Sequence, residues 1–163
     1  MARIGAARIG RAKLSLALLL MLLGVPPGYA QDWQLAPSYG DRQLLSGFLP
    51  DPQRVGIVAG GDQDLSRVGY RGFISQAPDF DLWYRAGDEG LTITVERASG
   101  GTVLLVNDPR GRWHFSDGYG GGPPLIRFES PSEGLYNIWV GSLRRGVYPT
   151  ATLVLTAFYP YPP

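Results

Sequence analysis

The chain has no cysteine and a single histidine, His114, in 163 residues. Without cysteine no disulfide framework can hold it, so burial and strand pairing must do so. Zinc loses its usual ligands as well. Lysine is confined to Lys13, and all eleven basic residues after position 30 are arginine. Base-composition bias accounts for that usage; bidentate recognition of carboxylate or phosphate is the alternative. No helical periodicity of useful length follows residue 30, which points away from an α-rich fold. Chemistry-bearing motifs are missing too. There is no Gly-x-Ser-x-Gly elbow. The Gly118–Gly122 run is not followed by Lys-Ser/Thr, so it is not a phosphate loop. No helix-loop-helix calcium motif occurs.

What is present divides the chain. Arg3, Arg8, Arg11 and Lys13 precede a twelve-residue apolar run, Leu14 to Val25, and Gly28-Tyr29-Ala30 supplies small residues at a cleavage position. This reads as a signal peptide over 1–30, removed after Ala30. A lasting membrane anchor needs roughly 17–25 apolar residues. No cysteine stands near the cut for lipid attachment, and no arginine pair marks a twin-arginine signal. Fourteen acids against eleven arginines leave the mature part at −3. Nucleic acid binding thereby loses its electrostatic motive. The expected compartment is the periplasm or the exterior.

Residues 31–41 are polar and read as a flexible lead-in, 42–157 as one domain, and 158–163 as a Pro-Tyr tail that cannot pair as a regular strand. Within the domain, short apolar runs alternate with Gly- and Pro-rich turns. Leu91-Thr-Ile-Thr-Val-Glu96 alternates cleanly, placing Leu91, Ile93 and Val95 inward. Thr102 to Val106 is apolar on both faces and belongs at a sheet centre. Trp113 and Phe115 are expected inward with His114 outward, and Tyr136, Ile138 and Val140 inward. Asp62 to Arg71 reads as a loop with one helical turn. The spacing predicts an all-β fold, an antiparallel β-sandwich or jelly roll of eight or nine short strands. An outer-membrane barrel would need an outward apolar band, whereas the outward residues here are Thr, Glu, Arg and Asn.

Asn107-Asp108-Pro109-x-Gly111-x-Trp113 and Gly134-x-Tyr136-x-Ile138-Trp139-Val140-Gly141, with Ala77-Pro78-Asp79-Phe80-x-Leu82 and Ala151-Thr152-Leu153, resemble the bacterial pre-peptidase C-terminal domain. That domain is a jelly-roll β-sandwich appended to secreted proteases, and free-standing members often carry a serine peptidase label without peptidase residues. The likeness spans roughly 42–157 and implies a non-catalytic accessory fold. Many relatives carry a cysteine pair near the positions of Gly69–Gly72 and His114–Phe115, which this chain lacks. Physically, Asp108-Pro109 starts a turn, and Gly141 suits a bulge or a close backbone approach.

For catalysis, His114 is the only base, and Ser116 and Asp117 lie too close along one strand to form a triad with it. The acid pairs Asp79/Asp81, Asp62/Asp64 and Asp88/Glu89 sit at turns and strand ends, where acids serve solubility. No cofactor is expected. Calcium is the one metal the sequence can suit, through Asn107, Asp108 and Asp117 flanking one hairpin. Alternation turns Trp83 and Arg85 outward on one strand, and Asn137 and Trp139 outward on another. Outward tryptophans form a platform for a protein or glycan partner, or for self-association, unless another layer covers them. The expected function is an exported binding or accessory module, with a structural envelope module or a peptidase-type enzyme as alternatives.

Overall fold

A computed structural model describes residues 32–158; the signal-peptide reading over 1–30 and all of the tail beyond Phe158 lie outside the described residues. Eleven strands form two sheets packed face to face, and no α-helix occurs among the described residues. No helix there is long and apolar enough to cross a membrane. The fold is an all-β sandwich. Two of the strands are mere two-residue bridges, β3 (Gln63–Asp64) and β4 (Phe73–Ile74), which is why the expected number was lower.

The first sheet runs β1 (Asp41–Leu45), β5 (Phe80–Arg85), β10 (Gly134–Ser142), β4 and β3, while β7 (Thr102–Asn107) pairs with both β10 and β8 (Trp113–Ser116). The second sheet runs β2 (Gln53–Val58), β11 (Thr150–Thr156), β6 (Leu91–Glu96) and β9 (Leu125–Phe128). Every pair is antiparallel except β1 with β5. That parallel pair departs from the purely antiparallel expectation. It arises because the chain leaves β1 for β2 in the second sheet, re-enters the first sheet at its far end through β3 and β4, and then lays β5 beside β1 in the same direction. β1 stops at Leu45 because Ser46 and Gly47 turn the chain and Gly47 has φ +71°.

The inter-sheet core follows the alternation read from the sequence. Leu91, Ile93 and Val95 meet Tyr136, Ile138 and Val140, with Leu153 and Leu155 beside them, all fully or almost fully buried. β7 is apolar on both faces because it has a core on both. Leu104 and Val106 point between the sheets, while Val103 and Leu105 enter a second cluster with Leu65, Ile74 and Trp139. The cover of that second cluster is the segment from β3 through the 3-10 turn Leu65–Val68 to β4, the helical turn expected within 62–71.

β8 runs opposite to its expected facing. His114 pairs with Val106 on the inter-sheet side, and its ring lies edge-on to Phe128 at 4.8 Å. Trp113 and Phe115 pack against the second cluster. Alternation was right in period and wrong in phase, because both faces of this strand are apolar enough to bury. Tyr70 stacks on Phe115 with centroids 4.4 Å apart, and Arg71 pairs with Asp117. Those contacts tie the 69–72 turn to β8 without a covalent staple. The lead-in is also not free: Asp32, Ser38 and Tyr39 donate backbone hydrogen bonds to Gln76, Pro78 and Asp79.

One gap in the ladder explains a buried acid. β10 pairs with β5 as far as Ile138 opposite Phe80, and β4 takes over at Ser142 opposite Phe73. Between them the Val140 N–H would face no strand. The Asp79 carboxylate accepts it at 2.6 Å, and the Gly60 N–H donates to the Val140 carbonyl at 2.9 Å. An unmet buried amide would cost about 1–3 kcal/mol. Gly141 sits where β4 crosses closest, since a Cβ there would stand 2.5 Å from the Phe73 carbonyl oxygen.

Burial pushes the Asp79 carboxyl up to about 7, and the Val140 hydrogen bond offsets this only in part. An acid whose folded pKa is raised binds protons more readily in the fold than in the unfolded chain. Stability therefore falls as pH rises from about 4 to about 7, and Asp79 causes no further change above that. Replacing Asp79 with Asn keeps an acceptor for Val140 and removes the proton. Urea unfolding across this range should show a flatter pH profile for Asp79→Asn than for the wild type; identical slopes would contradict the assignment.

Candidate functional site

Of the four residues expected on an outward platform, two are exposed. Trp83 and Arg85 lie on the outer face of β5, and Trp83 retains 50% of its surface. Asn137 and Trp139 do share that outer phase on β10, but they are buried, at 2% and 0%. Trp139 lies beneath the Leu65–Ile74 cover, tilted against Trp113 with centroids 5.4 Å apart, and its indole Nε1 has no hydrogen-bond partner. Asn137 is covered by the lead-in. Its Nδ2 donates to Asp81 Oδ1 at 2.8 Å and to the Trp33 carbonyl at 3.5 Å. The expectation of a Trp83–Trp139 platform is thus corrected: outward phase does not mean exposure where a third layer covers the sheet.

The second exposed tryptophan is Trp33, at 51%. A turn fixes it, in which Gln34 N–H donates to Asp32 Oδ1 at 3.0 Å and Asp32 N–H donates to the Gln76 carbonyl. Trp33 stood in a stretch read as flexible and was missed. The available signal was a tryptophan inside an otherwise polar segment, which is costly to leave free in water.

Trp33 and Trp83 line a groove on the outer face of the first sheet, made of two cavities of about 730 and 660 Å³ that adjoin at Glu133 and Gly134; Trp113 also lines the first of them. Leu135 lies between the tryptophans, directly across the ladder from Trp83. Gln34, Gln76, Asn107 and Asn137 line the Trp33 side; Gln43, Leu45 and Arg85 line the Trp83 side. Asp32 and Glu133 contribute carboxylates that form no ion pair among the described residues. Under the groove, burial pushes the Asp81 carboxyl up, partly countered by Asn137, and the neighbouring Asp41 adds to the rise. The site offers aromatic faces, amides, carboxylates and the Arg85 guanidinium.

The candidate calcium set does not assemble. Asp108 Oδ1 accepts from the Arg110 and Arg112 amides at 2.9 and 3.0 Å. Its Oδ2 accepts from Arg112 Nε at 2.8 Å and faces His114 Nε2 at 3.0 Å. Asp117, at the far end of β8, pairs with Arg71. Strand rise places the two acids roughly 15 Å apart. Calcium holds its oxygens at about 2.3–2.6 Å, so one ion cannot take both. Asn107 lines the groove instead. Among the described residues, no three acidic, histidine or cysteine side chains are grouped to hold a metal.

His114 is half-buried and its Nε2–H donates to Asp108, since a carboxylate only accepts. Ser116 Oγ accepts from the Leu125 amide at 3.0 Å, away from the imidazole. Acid and base are engaged with each other, and the hydroxyl is held by the Leu125 amide of another strand. No family model matches the chain, and no curated protein sequence matches it either.

Burial alone would push the Asp108 carboxyl up, but the His114, Arg112 and Arg110 hydrogen bonds outweigh it and hold it down to about 2. A depressed acid contributes stability that is present above about pH 4 and lost as pH falls through about 2. Asp108→Ala removes an ionised acceptor of several bonds and should cost about 2–4 kcal/mol. Urea unfolding at neutral pH measures this. A loss under about 0.5 kcal/mol, the range of ordinary surface changes, would contradict it.

Proposed function

We propose that this chain is an exported, non-catalytic β-sandwich that binds a partner in the Trp33–Trp83 groove. The carrying observation is the pair of half-exposed tryptophans lining two cavities that adjoin at Glu133 and Gly134. Exposed indole is costly in water and gives large contact area at low entropic cost when covered by a ligand. The polar lining supplies directional hydrogen bonds, as binding sites of this kind require.

The non-catalytic part of the reading rests on separation. His114 is committed to Asp108, and Ser116 to the Leu125 amide, so no activated nucleophile is set up. Export to the periplasm or exterior rests on the residue 1–30 segment. The likeness to pre-peptidase C-terminal domains supports the same accessory role, in which the fold presents a surface beside other proteins' chemistry.

Binding should depend on the groove and not on the buried tryptophan cluster. Trp33→Ala and Trp83→Ala should each weaken binding at least about tenfold, the loss of one well-placed aromatic contact. Their melting temperatures should stay near that of the wild type. The checks are isothermal titration and thermal melting. Equal binding by wild type and both variants would refute the groove as the site. Turnover of peptide or ester substrates that disappears in His114→Ala would refute the non-catalytic reading.

A further inference from the structure

Resting on that reading, we propose that the groove takes a neutral, β-linked glycan chain spanning both tryptophans. Trp83 and Asn137 sit on neighbouring strands two residues out of register, and Asn137 holds the Trp33 carbonyl. Sheet spacings then put the two aromatic positions on the order of 10 Å apart. One sugar ring is too small to cover both, so the occupant is a chain. β-Linked pyranoses with equatorial substituents have flat C–H faces that lie on indole rings.

The polar lining selects among polymers. Side-chain amides of Gln34, Gln43, Gln76 and Asn107 offer both donors and acceptors, the pairing that sugar hydroxyls need. A peptide would need main-chain partners. The floor of the groove is a sheet face, and the β5 and β10 backbones below Leu135 and Trp83 are already paired with each other. Along that floor nothing extends a ladder, which is how strand-adding peptide sites work; the open edge of the sheet there is the outer side of β1, at the Trp83 end only. Charge decides the rest. Asp32 and Glu133 stand in the lining without ion-pair partners, against Arg85 alone, so the net negative lining disfavours a uronic or sulfated polymer.

The test is titration of the protein with cello-oligosaccharides and N-acetyl-chito-oligosaccharides of one to six sugars. Polygalacturonate and an extended-peptide library serve as the other arms. At least one neutral series should bind, with affinity rising with chain length and then levelling off once both rings are covered. Trp33→Ala and Trp83→Ala should each weaken the longest member at least tenfold while leaving the monosaccharide almost unaffected. Stronger binding of polygalacturonate, or no binding of either neutral series, overturns the glycan assignment. Peptide binding that is lost in both tryptophan variants would overturn it too, yet leave the binding-module reading standing. Binding of every probe by the folded variants as by the wild type would bring down both.

Discussion

β10 must be buried on both of its faces, and most of the molecule follows from that constraint. Tyr136, Ile138 and Val140 face the opposing sheet, so Trp139 is forced to the other side. A fully exposed indole there would forfeit a large hydrophobic contribution. The chain from β3 to β4 folds down to cover it, and Gly141 lets β4 come close enough to do so. That cover ends before β5. The outer face is therefore double-layered over β7 and the C-terminal half of β10, and open around Trp83 and Leu135. The groove is the step between the covered and the open parts of one sheet.

The same constraint explains the polar devices at the edge of the cover. Where β10 changes partner from β5 to β4, Asp79 and Gly60 meet the one residue that loses its ladder. Asp108 does comparable work in its hairpin, gathering the backbone amides of Arg110 and Arg112. These acids are shifted in opposite directions, since burial prevails at Asp79, whereas at Asp108 it is outweighed by the hydrogen bonds of His114, Arg112 and Arg110. Both sit in motif-like stretches whose residues look chemical and act structurally.

The strand periodicity was legible because β6, β9 and β11 each turn their large apolar side chains to one core, and period-two alternation marks it. The all-β sandwich followed from that alone. Phase was not legible in β8, where Trp113, His114 and Phe115 give bulk on both sides, and only the tertiary partner chooses. Trp83 was found because β5 has polar neighbours on its outer side. Trp139 was misplaced because nothing local announces that residues 63–74, far off in sequence, lie over it. Trp33 escaped notice for the converse reason: its turn is held by Gln76 and Asn137, contacts that span the chain.

Of the four tryptophans, Trp33 and Trp83 are offered to a ligand and Trp139 is locked in the fold, with Trp113 packed against it at the margin of the groove. Nitrogen-15 correlation spectra of the indole N–H groups during titration with a six-sugar β-linked oligosaccharide examine that division directly. The indole signals of Trp33 and Trp83 should exchange rapidly with solvent and move as sugar is added, while that of Trp139 stays put and exchanges slowly. Rapid exchange at Trp139, or a titration that shifts Trp139 and leaves Trp33 and Trp83 unmoved, would contradict it.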